Sequence, residues 1–335
     1  MTAINLSHVF DNHKVDNHIT VHEFLRSLSG PTVFHFKGRK TGKTRIITTL
    51  LHGNEPSGIK ALFQLFKQGF KPMFNTQIIV ASVTAAKTEP EFSHRMLPGK
   101  RDLNRCFSPP YHDVQGKLAE SIKDYITSLG PEFVLDIHNT SGSGPAFAVV
   151  TETSEQHLAI ASYFCYRQIL TDISLGSLME CDFNCPVITI EGGGCQDEEA
   201  DLTVYQGLVN LLSSENIEQQ HSMQTLKHPR RFELKQGVNL VYGDSPNPYA
   251  DITILPNIEK YNFGVTQAGT LLGYMKSDSF EQVMLDDGSN ISTFFSIKQQ
   301  RLTTKKSLNM FMITTRPDIA KNDCLFYFVV AEGSL

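Results

Sequence analysis

Over the first ~215 residues, short apolar, β-branched runs alternate with stretches of helical periodicity, which implies an α/β domain around a largely parallel sheet. Strand-like runs are FHF (34–36), RIITTLL (45–51), QIIVASV (77–83), 133–137, 146–150 and 187–190. Helices are expected from Thr20, where Thr20 and Glu23 form a capping box, and over 57–66, 114–128, 154–170 and 197–212. GRKTGK (38–43) reads as a basic turn, and 84–112 as a long irregular loop of the kind that carries function. From about 220 the pattern changes to short runs between turn signals such as SPNP and LDDGSN. The expected fold is therefore a mostly parallel or mixed sheet with helices on both faces, plus a smaller, mostly-β C-terminal domain. The expected domains are 1–218 and 219–335, divided at the polar stretch 213–224.

Composition excludes several classes. The 335 residues are 40% hydrophobic and 19% charged, the balance of a globular chain rather than a disordered one. A net charge of −5 gives no electrostatic footprint for nucleic acid. No apolar run approaches the ~20 residues of a membrane helix. The N-terminal MTAINLSHVFDNHKVDNH shows no basic region followed by an apolar run, so no secretory signal is expected. The six cysteines form neither a CxxC pair nor a zinc-finger grid, and free thiols in the cytoplasm are the expectation.

Four polar spots lie past, or lead toward, the carboxyl ends of expected strands, where open α/β sheets bind ligands. The first is the turn HGNE, with His52 and Glu55 three apart; it reads either as two metal ligands or as a capped turn. The second is DIHNT, whose His138 is a third ligand or a buried histidine bonded to Asp136. The third is Glu191, before three glycines: a proton-transferring carboxylate or a helix-start acid. The fourth is HRMLPGKRDLNR (94–105), a basic loop able to fork onto a carboxylate or stabilise an oxyanion.

The ordered set HGNEPSG, RDLNRCF, DIHNT and ITIEGGG resembles the succinylglutamate desuccinylase/aspartoacylase family, within the wider zinc carboxypeptidase fold. The resemblance covers about 45–200, and GVTQAGTLLGYM (264–275) resembles the family's β-domain more weakly. It implies one Zn²⁺ per chain held by His52, Glu55 and His138. Glu191 is then the general base and acid, and Asp102 the partner that fixes His52. Asn104 and Arg105 hold a substrate carboxylate. The arginine that polarises the scissile carbonyl stands eight residues before Arg105 in the family, where this chain has Leu97. Arg95 is the choice for that role, with Arg101 the fallback. Cys181 stands where the aspartoacylase branch has a further arginine, and FSIKQQRLTTKKS has no match to the family's closing tyrosine.

The expected function is hydrolysis of the acyl-amide bond of a small N-acyl amino acid, without nucleic acid or membrane as partner and with a homo-oligomer open. The alternatives are a carboxypeptidase-type metallopeptidase on small peptides and a non-hydrolytic zinc-binding module.

Overall fold

A computed structural model describes residues 19–140, 142–172, 174–322 and 324–331; the segment read above for a secretory signal lies outside them. The chain divides into two compact units. One holds the described parts of Met1–Asn139 and Ala146–Thr225, the other those of Thr140–Pro145 and Leu226–Leu335.

In the first unit the elements are α1 (Val21–Ser27), β1 (Thr32–Phe36), β2 (Lys40–Thr49), α2 (Ser57–Lys67), β3 (Phe74–Val80) and α3 (Val83–Lys87). They continue with α4 (Val114–Leu129), β4 (Val134–Thr140), β5 (Phe147–Val150), α5 (Glu155–Ala161), β6 (Arg167–Leu170), β7 (Val187–Gly194), α6 (Glu198–Ser213) and β8 (Gln224–Lys227). The eight strands form one mixed sheet in the order β1-β3-β2-β4-β7-β5-β6-β8. β2 runs parallel to both β3 and β4, β5 is parallel to β6, and β1 and β7 are antiparallel to β3 and β5. The Thr20 capping box forms: the Glu23 N–H donates to Thr20 Oγ1 at 3.2 Å, and the Thr20 N–H to Glu23 Oε2 at 2.7 Å.

Strand periodicity of two sorts the core into two layers. Phe34, Ile47, Ile78, Val80, Leu135 and Ile188 pack against α1, α2 and α6. Their neighbours Val33, Ile46, Ile79, Val134 and Val187 face Ala119, Ile122 and Ile126 of α4. Helices therefore cover both faces, and polar chemistry is left to the strand ends.

The structure departs from the sequence reading at several places: the expected strand 77–83 is Phe74–Val80, and α3 occupies the start of the expected loop 84–112. GRKTGK is not a plain turn: β2 starts at Lys40, with an irregular register against β3 between Lys40 and Thr44. The expected helix 154–170 stops at Ala161, and Arg167–Leu170 is strand β6. Gln168 explains the change. It is fully buried, its Nε2 donates to Thr153 Oγ1 at 2.6 Å and Thr225 Oγ1 at 3.1 Å, and its backbone pairs with Ala148. Sheet pairing here overrides helix propensity. Lastly, β7 does not end before Glu191 but runs on to Gly194. A Cβ on Gly192 would stand 2.6 Å from Val204 Cγ2 of α6, so the glycine lets helix and strand close together.

The second unit is β-rich, as expected. One five-stranded sheet runs Leu240–Tyr242, Ile252–Ile254, Leu271–Met275, Arg301–Thr304, Phe295–Lys298. The other runs Val265–Thr266, Leu308–Phe311, Phe326–Val330, Arg230–Leu234, Val283–Leu285. Phe232, Phe295, Phe326 and Phe328 are buried in its core. Among the described residues no helix is long and apolar enough to cross a membrane.

Candidate active site

After β2 the chain turns sharply. Leu50 is buried at φ +53°, and a Cβ on Gly53 would lie 2.7 Å from both Ala86 N and His94 O. Only glycine allows that approach. The Gly53 N–H donates to Arg95 O at 2.9 Å, so the turn bearing His52 and Glu55 is fastened to the loop bearing Arg95.

The site is a line of alternating donors and carboxylates. Arg95 Nε donates to Asp102 Oδ2 at 2.9 Å, and Asp102 Oδ1 lies 3.1 Å from His52 Nε2. His52 Nδ1 is 2.7 Å from Glu55 Oε1, and Glu55 Oε2 is 2.6 Å from His138 Nδ1. His138 Nε2 lies 2.7 Å from Asp136 Oδ2, whose other oxygen accepts from Thr48 Oγ1 at 2.5 Å. Each imidazole is thus oriented by a carboxylate on Nε2 and turns Nδ1 toward Glu55. Donor atoms of His52, Glu55 and His138 all lie within 4.8 Å of one another, and all three residues are buried. Imidazole nitrogens backed by carboxylates, plus one carboxylate oxygen, are a donor set that suits a divalent cation. This group could hold a metal ion.

Burial pushes the Glu55 carboxyl up, but the charges of His52 and His138 outweigh it and hold the group well below the carboxylate range. Asp102 behaves alike: burial raises it, and His52, Arg95 and Arg105 pull it down further. Burial lowers the His138 imidazole, yet Asp136 and Glu55 raise it well above the ordinary value.

Glu191 lies opposite Phe147 on β5, and its Oε2 is buried with no hydrogen-bond partner. Its carboxyl is pushed up to about 7, by burial first; His138 opposes, Glu55 adds, and His52 and Arg95 oppose. β7 is the neighbour of β4 in the sheet, and a Cβ on Gly192, the next residue, would stand 3.5 Å from His138 O, so Glu191 lies beside the His–Glu–His group.

Asn104 is also brought in: its Oδ1 accepts the Leu178 N–H at 3.0 Å, and its Nδ2 lies 3.5 Å from His138 Nε2. Arg105 donates from Nη1 to Asn104 O at 2.9 Å. Arg101 is engaged elsewhere. It forks onto Asp113, the N-cap of α4, with two contacts of 2.7 Å.

The sequence reading names Asp136 only as the partner of a buried His138, a bond that the structure contains, and two further residues, Asn139 and Glu180, escape it. Asp136 has a signal, because D-x-H on a strand puts both side chains on one face. Asn139 joins three elements: its N–H donates to Glu55 Oε2 at 3.3 Å, its Oδ1 accepts from Ser57 N at 3.0 Å, and its Nδ2 donates to Gly193 O at 3.0 Å. Glu180 organises the 174–180 loop, and Ser177-x-x-Glu180 is a capping-box pattern that could have revealed it.

The fold and this arrangement define an α/β protein built around a candidate metal centre at the carboxyl edge of its sheet. Residues 41–178 match the Succinylglutamate desuccinylase/Aspartoacylase catalytic domain, the family that the motifs resemble. No curated protein matches the chain in sequence. Among solved structures, the succinylglutamatedesuccinylase/aspartoacylase from Rhodobacter sphaeroides is similar with TM-score 0.55 at 14% identity, covering 91% of this chain and 85% of that one. A putative succinylglutamate desuccinylase/aspartoacylase from Shewanella frigidimarina gives TM-score 0.56 at 11% identity, covering 89% and 92%. The succinylglutamate desuccinylase from Chromobacterium violaceum gives 0.51 at 15%, covering 79% and 85%. At these identities what is shared is the fold.

Proposed function

We propose that this protein is a zinc-dependent amidohydrolase that cleaves the acyl-amide bond of a small N-acyl amino acid. The observation that carries the reading is the buried His52–Glu55–His138 group with the unpartnered Oε2 of Glu191 beside it. The family of residues 41–178 and the names of its solved relatives support the same reaction class.

His52, Glu55 and His138 would hold the zinc, with Asp102 and Asp136 fixing the two rings. When bound, Zn²⁺ lowers the pKa of a coordinated water and acts as a Lewis acid. Glu191 takes a proton from the attacking water and returns it to the amine as the C–N bond breaks. A carboxyl near neutrality suits both halves of that transfer. Arg95 is 40% exposed, with Nη1 3.8 Å from Glu55 Oε1, and faces the scissile carbonyl to offset charge developing on its oxygen. Because the Asn104 carbonyl is used by Leu178, Asn104 offers its amide N–H groups, and with Arg105 it grips the substrate carboxylate. The reaction belongs to the cytoplasm in this reading, consistent with the free thiols Cys106, Cys165, Cys181 and Cys185. The fold similarity to the wider zinc carboxypeptidases is part of the same proposal.

The test is elemental analysis of the purified protein and of His138→Ala, followed by a panel that includes N-succinyl-L-glutamate and N-acetyl-L-aspartate. About one zinc per chain, lost in the variant, with release of a free amino acid, is the expected result. Failure to bind zinc, or release of shortened peptides only, overturns it.

A further inference from the structure

The carboxylate of Glu180 gathers five donors from its own loop. Oε1 accepts from Leu175 N at 2.8 Å, Ser177 N at 3.0 Å and Ser177 Oγ at 2.7 Å. Oε2 accepts from Gly176 N and Ser174 Oγ, each at 3.0 Å. Three consecutive backbone N–H groups converging on one anion force residues 174–177 to wrap around it, and Gly176 takes the left-handed conformation at φ +76°. Burial raises this carboxyl, but the Ser177 hydroxyl and the backbone N–H groups hold it below the ordinary value.

The wrapped loop is docked on the RDLNRCF segment at two points. The Phe107 N–H donates to Gly176 O at 2.9 Å, and the Leu178 N–H donates to Asn104 Oδ1 at 3.0 Å. Leu178 itself is fully buried in one core cluster with Leu103, Cys106 and Phe107. The second contact decides what Asn104 presents. With its carbonyl tied to Leu178, its amide nitrogen is the group turned toward His138. Released from Leu178, the carboxamide can rotate and present an oxygen, which repels a carboxylate.

We infer that Glu180 is a positioning residue for substrate recognition: by folding 174–178 around its carboxylate, it holds the Leu178 N–H where it locks Asn104 as a donor. This rests on the reading of Asn104 as a contact to the substrate carboxylate. Specificity at this position is then set through a half-buried loop carboxylate that acts on Asn104 by way of Leu178.

The experiment is a double-mutant cycle of Glu180→Gln and Asn104→Ala, with steady-state kinetics on whichever N-acyl amino acid of the panel is hydrolysed. Glu180→Gln turns an acceptor into a donor among donors. It is expected to raise KM about tenfold, leave kcat within about twofold, and leave zinc content unchanged. The double variant is expected to match the KM of Asn104→Ala alone, since both changes act on one contact. Additive effects on KM, or a loss confined to kcat, overturn the inference while leaving the reaction intact. An unchanged KM in Asn104→Ala overturns the binding role of Asn104, and this inference with it. Should Glu180→Gln fail to fold, Ser177→Ala, which removes one hydroxyl donor to the same carboxylate, takes its place in the cycle, with a smaller KM increase expected and the same non-additivity required.

Discussion

His138 and Asp136 stand two residues apart on β4, with Nε2 and Oδ2 2.7 Å apart and the aspartate fully buried. The pair fixes which ring nitrogen faces Glu55, and Thr48 secures the second aspartate oxygen. Asp136→Asn keeps the shape and loses the charge. We expect zinc affinity to fall about 10–100-fold, measured by competition with a chromophoric chelator. Unaltered affinity would show that ring orientation is set by Glu55 alone.

Glu191 offers a prediction in pH. A general base works only when ionised, so kcat/KM should fall as pH drops through its pKa, which burial raises to about 7 before any cation is bound. A bound dication pulls the acid limb lower. Glu191→Gln should keep zinc, lose about 10²–10⁴ in turnover and lose the limb altogether. The stability sign is opposite to that of a salt-bridged acid. A carboxyl raised in the fold from 4.5 destabilises once pH passes 4.5, and the penalty is complete above about 7. With metal removed by chelator, Glu191→Gln should melt higher than the parent at pH 8, and the gap should close below pH 4.5. A gap independent of pH would refute this account.

Gly53 carries a steric prediction. A Cβ there meets backbone at Ala85, Ala86 and His94 within 2.8 Å, and backbone cannot swing aside as a long side chain can. Gly53→Ala should cost about 1–3 kcal/mol, read from the urea midpoint, and should lower kcat by displacing Arg95. A wild-type midpoint would mean that the turn and loop separate freely.

Arg95 and Arg101 are told apart by their partners. Arg101→Ala breaks an ion pair with Asp113, partly exposed on both sides, so it should cost at most about 1 kcal/mol and leave kcat near the parent value. Arg95→Ala removes the guanidinium next to Asp102 and Glu55 and should lower kcat by about 10²-fold. Reversed effects in initial-rate assays would give the carbonyl-polarising role to Arg101.

Periodicity and short spacings were legible along the chain. RIITTLL and QIIVASV are apolar on both sides because each strand is covered by helices on both faces, and the resulting α/β order places HGNE and DIHNT at strand ends. Thr20 and Glu23 announce a helix start because a capping box is a local interaction. His52, Glu55 and His138 are legible as donors by residue type and place. Contacts between distant residues are another matter, since nothing local constrains them. Gln168 is drawn into a strand by Ala148 and Thr225, against the helical look of its neighbours. Arg101 and Arg95 are equally basic in sequence and differ only because one meets Asp113 and the other Asp102. Glu180 carries a local capping-box pattern with Ser177, yet nothing local shows that its loop reaches Asn104, 76 positions earlier in the chain. Backbone pattern and residue chemistry are properties of a segment, whereas the partner that orients a side chain is decided only when the sheet brings its strand ends together.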